Sequence, residues 1–305
     1  MRKQLSDALL LRAPSPNMVF LTGDLGFMAL EELRAAMGNR FINAGVAEQN
    51  MIGVSAGMAR QGLEVWVYSI APFSYARPFE QIRNDICFHG LPVKIIGNGG
   101  GYGYGVMGPT HHAIDDYGIL LTLPKMRAYV PAFDEDLQDV IPKLGESPDP
   151  AYLRLGRGEI PRDYQVPAYA PWRQLTSGNG PTVIAVGPIA GTYLEAFSEL
   201  SLEKRPNFWV ACELPLKHSP MPEILLEQIR QSASLSVIEE HVSQGSLASA
   251  IALDLLNKNI ALGAFHQFCA QEHIYDSYGS QNFLRKKSGL NPESVMDIIF
   301  SDKAL

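Results

Sequence analysis

Residues 43–70 read NAGVAEQNMIGVSAGMARQGLEVWVYSI, and the change of period inside this stretch decides the fold. From Ala47 to Arg60, Met51, Val54, Ser55 and Met58 recur at helical spacing. From Val65 to Ile70 the run is short, β-branched and aromatic, as in a strand buried on both faces. The same alternation continues outward. Strands are expected at 19–22, 65–70, 93–96, 152–155, 183–186, 208–211, 236–239 and 262–268. Helices are expected at 31–37, 47–60, 79–88, 135–144, 191–200, 223–232 and 246–257. Strands alternating with helices make the fold class α/β, with two consecutive domains, each a largely parallel sheet flanked by helices. Prolines at 161, 167 and 171 interrupt the alternation between 159 and 175 and read as a linker. The expected domains are therefore 1–165 and 166–305.

Composition narrows the function. The 305 residues are 46% hydrophobic and 19% charged, with a net charge of -7 and no acidic or basic blocks. That argues against nucleic acid or an anionic membrane as partner and leaves a small-molecule substrate. Cys87, Cys212 and Cys269 lie far apart without ligand spacing and are expected to be free thiols in a reducing compartment. No apolar run reaches the roughly 18 residues of a membrane helix, and the first twenty residues carry no clean cleavage signal. A cytoplasmic location is expected.

Glu48 stands among small and apolar neighbours, and glutamate is almost never buried without a charge partner or a held proton. At a helix start it either complements the helix dipole, worth about 0.3–1 kcal/mol, or faces a ligand. The small residues on both sides leave room for something flat. TGDLG (22–26) places Asp24 at the carboxyl end of the first strand, the edge where open α/β sheets bind ligands. In VYSIAPFSYARPFEQIRND (67–85), Phe73, Tyr75 and Phe79 follow a strand where the chain turns, as core plugs or as stacking platforms. Six of the eleven residues from Gly97 to Met107 are glycine, a backbone that can approach a ligand closely, and neither a Walker nor a Rossmann pattern is present. GPTHH follows. His111 and His112 do not share a helix face, which argues against a metal pair, and at least one imidazole is expected to face the cavity walled by the glycines. YLRLGRGE (152–159) ends a strand with Arg154 and Arg157, suited equally to an anion or to a surface carboxylate.

Taken in order, GDLG, AGVAEQNMIG, RPFEQIRND with LPVKII, GPTHH, VPAFDEDL and YLRLGRG resemble the pyrimidine-binding domain of the transketolase family of thiamine diphosphate enzymes. LSVIEEHVSQGSLAS and SYGSQNFLRKKSGLNPESVMDII resemble that family's C-terminal domain, so the resemblance spans nearly the whole chain. It implies a thiamine diphosphate-dependent transferase that moves a two-carbon ketol or acyl unit. The glutamate matching Glu48 bonds a ring nitrogen of the cofactor's aminopyrimidine and drives its amino group to the imino form, which removes the thiazolium proton. The aromatic matching Phe73 stacks on that ring, with Tyr75 the second choice. His111 matches a substrate-side histidine, Asp24 a residue lining the cofactor site near the boundary between chains, and Arg157 an arginine that holds substrate phosphate.

Departures from the pattern carry their own expectations. Transketolases usually have Glu-Asp before Gly-Pro-Thr-His, the Asp meeting a substrate hydroxyl; here the pair is Val106-Met107. A phosphate-facing His of the family falls at Gly99. With Tyr102 and Tyr104 nearby, Met107 implies a more apolar acceptor pocket and a substrate other than a standard sugar phosphate, such as a 2-oxo acid. No Gly-Asp-Gly motif is present. In the family that motif, with a downstream Asn, holds Mg2+ or Ca2+ and the diphosphate. The chain is therefore expected to be one subunit of a split enzyme, inactive alone. Its partner is an N-terminal transketolase-like subunit with that motif, in a heterotetramer of two copies of each chain. Two other readings are the β subunit of a 2-oxo acid dehydrogenase decarboxylating component and a non-catalytic scaffold subunit. GPTHH favours the transferase over the first, and Glu48 with its aromatic loop favours it over the second.

Overall fold

The structure, a computed structural model, describes residues 1–301. Its strands are β1 (Met18–Thr22), β2 (Phe41–Asn43), β3 (Glu64–Ile70), β4 (Lys94–Asn98), β5 (Arg127–Tyr129), β6 (Ala151–Leu155), β7 (Trp172–Thr176), β8 (Thr182–Val186), β9 (Asn207–Ala211), β10 (Glu213–Leu214), β11 (Ser234–Glu239) and β12 (Ala264–Cys269). They form a seven-stranded sheet of order β10-β5-β6-β4-β3-β1-β2 and a five-stranded sheet of order β12-β11-β8-β9-β7. All pairings are parallel except at one edge of each sheet, β10 against β5 and β7 against β9. All eight expected strands are present. The four that sequence reading missed, β2, β5, β7 and β10, are short or at edges, and β7 lies inside the proline-bearing stretch taken as linker. Among the described residues no helix is long and apolar enough to cross a membrane.

Both faces of the first sheet are covered, which is why its strands read as apolar runs rather than alternating ones. Val19 and Leu21 of β1 and Val65 and Val67 of β3 pack on one face, while Met18, Phe20, Trp66 and Tyr68 pack on the other. The latter face is closed by Leu5 and Leu9 of α1 (Arg2–Leu10) and Leu33 of α2 (Glu31–Met37). The former is closed by Met51, Ile52, Ser55, Ala56 and Ala59 of α3 (Glu48–Arg60). The buried stripe of α3 is thus rotated from the expected one: Val54 is 41% exposed, and Ile52 takes its place.

The two sheets are joined by buried polar contacts. Arg173 of β7 makes a bidentate pair with Asp136 (2.8 and 2.7 Å), whose Oδ2 also accepts the Ala132 and Phe133 N–H groups. Tyr117 donates to Glu239 (2.6 Å), and the Gly118 N–H donates to Nε2 of His241 (3.1 Å), whose ring stacks on Tyr117 at 3.9 Å. Arg154, one of the two strand-end arginines, is spent here. It is buried, 3.0 Å from Asp116, and donates to the carbonyls of Ala113 and Glu240.

Two outcomes follow from these contacts. Removing one partner of a buried pair leaves the other charge uncompensated, so Arg173→Met is expected to lower unfolding stability by about 3–5 kcal/mol in chemical denaturation. Burial pushes the pKa of His241 and of His112 down to about 4 from 6.5, the neighbouring His273 adding to the effect on His112. Unfolding restores the ordinary value, so between those limits the unfolded chain binds more protons and stability falls as pH falls. Thermal scans through this window are expected to show a shallower loss in His241→Gln than in the unsubstituted chain.

Candidate active site

After β1 the chain runs through α2 to β2 on one side; after α3 it returns to β3 on the other side of β1. This reversal opens a crevice at the carboxyl ends of β1 and β3, the standard ligand position of open α/β sheets. Glu48, the first residue of α3, lies there with 4% of its surface exposed. A Cβ placed on Gly23 would stand 3.5 Å from Ser69 Oγ, 3.7 Å from Glu48 Cγ and 3.7 Å from the Gly45 carbonyl, so glycine at 23 keeps a small space open between them. The buried Ser69 hydroxyl has no hydrogen-bond partner among the described residues.

The loop after β3 folds as α4 (Ala71–Tyr75) and delivers two groups to this carboxylate. Arg77 donates from Nη1 to Glu48 Oε1 at 3.0 Å, and its guanidinium lies over the Phe73 ring at 3.8 Å. A planar N–H donor is therefore already held between the buried acid and an aromatic face. The opposite neighbour of Phe73 is His111, edge-on at 5.1 Å. Its Nδ1 is 2.9 Å from the Thr110 hydroxyl, and burial together with the Arg77 charge lowers its pKa below 6.5, which keeps the ring neutral at pH 7. His111 in turn lies 6.4 Å from the Tyr104 ring, and the Asn98 amide donates to the Tyr104 hydroxyl. Tyr104 and Asn98 then line a cavity of about 280 Å³ with Arg2, Arg157 and Gln281.

The structure thus brings Glu48, Phe73, His111 and Arg157 to one edge of the first sheet. Asp24 stands on the far side of the crevice, exposed and in left-handed backbone (φ 59°), clamped to Asn43 by the Asn43 amide (2.8 Å). Tyr75 points into the core. It is buried, donates to Asp115 and packs edge-on against Tyr152. Met107 is 55% exposed on the turn before Gly108. Tyr102 is fully buried and bonds Glu272 and Ser288, so only Tyr104 of the two loop tyrosines lines the cavity. Arg77 and Arg2 were not expected from sequence. Arg77 follows Phe73 by four residues, a helical spacing that foreshadowed their contact; nothing local distinguishes Arg2 from Lys3.

Residues 2–162 match the family model described as transketolase, pyrimidine binding domain. The chain is 31% identical over 268 residues to one of the two chains of the apulose-4-phosphate transketolase of Phocaeicola vulgatus, covering 85% of this chain and 84% of that one. It is 26% identical over 286 residues to the 6-deoxy-6-sulfo-D-fructose transketolase subunit SqwH of a Clostridium species, covering 92% and 86%. Among solved structures, one described as a split gene transketolase, inactive beta4 tetramer, superposes with a TM-score of 0.84 at 30% identity, covering 100% of this chain and 97% of that one. Together with the crevice geometry, these matches establish that the chain belongs to the transketolase family.

Proposed function

We propose that this chain is the pyrimidine-binding subunit of a two-chain, thiamine diphosphate-dependent transferase that moves a two-carbon ketol unit between small molecules with an anionic terminus. Residues 1–165 are the pyrimidine-binding domain and 166–305 the C-terminal domain. The observation that carries this reading is the continuous line Glu48–Arg77–Phe73–His111–Tyr104, running from the crevice to the cavity of Arg2 and Arg157. The crevice fits an aminopyrimidine: a buried carboxylate, an aromatic face, an unpartnered hydroxyl at Ser69 and the space that a Cβ on Gly23 would fill. The Arg77 guanidinium, flat and N–H-bearing, stands in the present structure for the kind of group that fits there.

Bound thiamine diphosphate would supply the carbon nucleophile that takes up and hands on the two-carbon unit. Glu48 shares a proton with the pyrimidine ring nitrogen, Phe73 stacks on the ring, and Arg77 yields its place. Tyr75 braces the loop through Asp115. Neutral His111 accepts or returns a proton at a substrate oxygen through Nε2. Arg157 and Arg2 bind the anionic terminus, a geometry for which guanidinium groups are well suited. The names of two relatives give sugars ending in a phosphate or a sulfonate, which supports an anion at this end. Met107 keeps the acceptor side less polar than in relatives with Asp. The partner chain holds Mg2+ and the diphosphate, and the assembly is a heterotetramer with Asp24 near the shared boundary. The relative described as an inactive beta4 tetramer supports dependence on a second chain.

Calorimetric titration of thiamine diphosphate with Mg2+ is expected to show binding to this chain mixed with the protein encoded beside it and none to the chain alone. Tight binding by the single chain would overturn the shared site. In the assembled enzyme, Glu48→Gln is expected to reduce turnover by at least about a hundredfold while sedimentation shows the assembly intact; near-normal turnover would remove the role given to Glu48.

A further inference from the structure

Gln281 belongs to the second half of the chain, opening the helix Gln281–Lys287, yet its side chain lines the same cavity as Arg2, Arg157, Asn98 and Tyr104. Its orientation is fixed. The side-chain amide nitrogen donates to both oxygens of Glu240, each at 3.0 Å. Glu240 is 6% exposed and is itself held by Arg285, from Nε at 3.0 Å and Nη2 at 2.7 Å, and by the Tyr102 N–H at 2.7 Å. An ionised carboxylate only accepts hydrogen bonds, so the amide must present its NH2 to Glu240 and its Oε1 away from it. Oε1 accepts no hydrogen bond from any described residue.

This placement depends on glycine. Gly101 has φ +66°, and a Cβ there would come within 2.5 Å of the Glu240 carboxyl carbon; Gly108 has φ +84°, and its Cβ would come within 2.1 Å of the Tyr278 ring. Side chains at either position would push the second half off the glycine loop and carry Gln281 out of the cavity.

We infer that Gln281 is a specificity-determining residue whose Oε1 accepts a hydrogen bond from a substrate hydroxyl lying between the reacting carbonyl and the anionic terminus. The substrate class is then a hydroxylated phosphate or sulfonate, and the acceptor missing at Met107 is supplied from the other domain. The inference rests on the proposed reading of the Arg2–Arg157 cavity as the anion site.

Titration of sn-glycerol 3-phosphate and of propyl phosphate, which lacks both hydroxyls, into the full chain tests it. The unsubstituted chain is expected to prefer glycerol 3-phosphate by about fivefold, the size of one net hydrogen bond. Gln281→Met is expected to bind both probes equally, and Arg157→Ala to lose both about tenfold. If Arg157→Ala binds both as the unsubstituted chain does, the anion site is wrong and the inference falls with it. If Arg157→Ala loses both but Gln281→Met still discriminates, or the unsubstituted chain never did, the anion site stands and Gln281 does not read the hydroxyl. Melting of each variant is followed alongside. Should the Met variant unfold, Gln281→Asn, which withdraws the amide by one methylene, gives the same decision.

Discussion

Taking a carboxylate out of water at Glu48 costs several kcal/mol unless a partner meets it, and the edge of the first sheet is arranged around that cost. The helix that Glu48 opens directs free N–H groups and a positive dipole end toward it. Glycines at 23 and 45 keep other side chains away, and the half-exposed Arg77 supplies a removable counter-charge. A fully buried cation would make a stable pair with nothing left to bind. A cation that reaches in from solvent leaves the acid balanced in the empty crevice and available to a ring that offers a better-matched donor.

The second sheet lies far from this crevice in sequence but not in function. Buried charges fix the seam: Asp136 with Arg173, Glu239 with Tyr117, Glu240 with Arg285. Such pairs add little net stability against apolar packing, yet they set one orientation, because any slip strands a charge. That rigidity lets a residue of the C-terminal half reach the cavity walled by the glycine loop with a defined atom pointing inward.

Much of this was legible in the sequence because it follows from period and punctuation. β1, β3, β4 and β6 announce themselves as apolar runs, since helices cover both their faces, and Glu48 is conspicuous as a lone acid among small residues. Edge strands β5 and β10 are too short to carry a period, and the prolines flanking β7 hid a strand that needs few donors on its open side. The buried stripe of α3 was misread by one position because Val54 and Ile52 are equally apolar; only the neighbouring strand decides which is covered. Arg154 and Arg157 have identical chemistry in the same short motif. The inward direction at 154 and the outward one at 157 come from the end of β6, where the strand gives way to loop. Arg2 and Gln281 were invisible because their roles exist only once distant segments meet.

β10 closes the first sheet with residues that are synthesised after most of the second domain's opening strands. Until Glu213 and Leu214 have left the ribosome, β5 presents an unpaired backbone edge while β8 and β9, strands of the other sheet, are already available to it. Open edges of this kind invite mispairing within a chain and between chains. The short length of β5 limits what can dock there. A fragment ending at residue 165 would keep the chain from Glu48 through Arg157 and still lack the strand that seals its sheet, so the two halves are separable in sequence but not in biosynthesis.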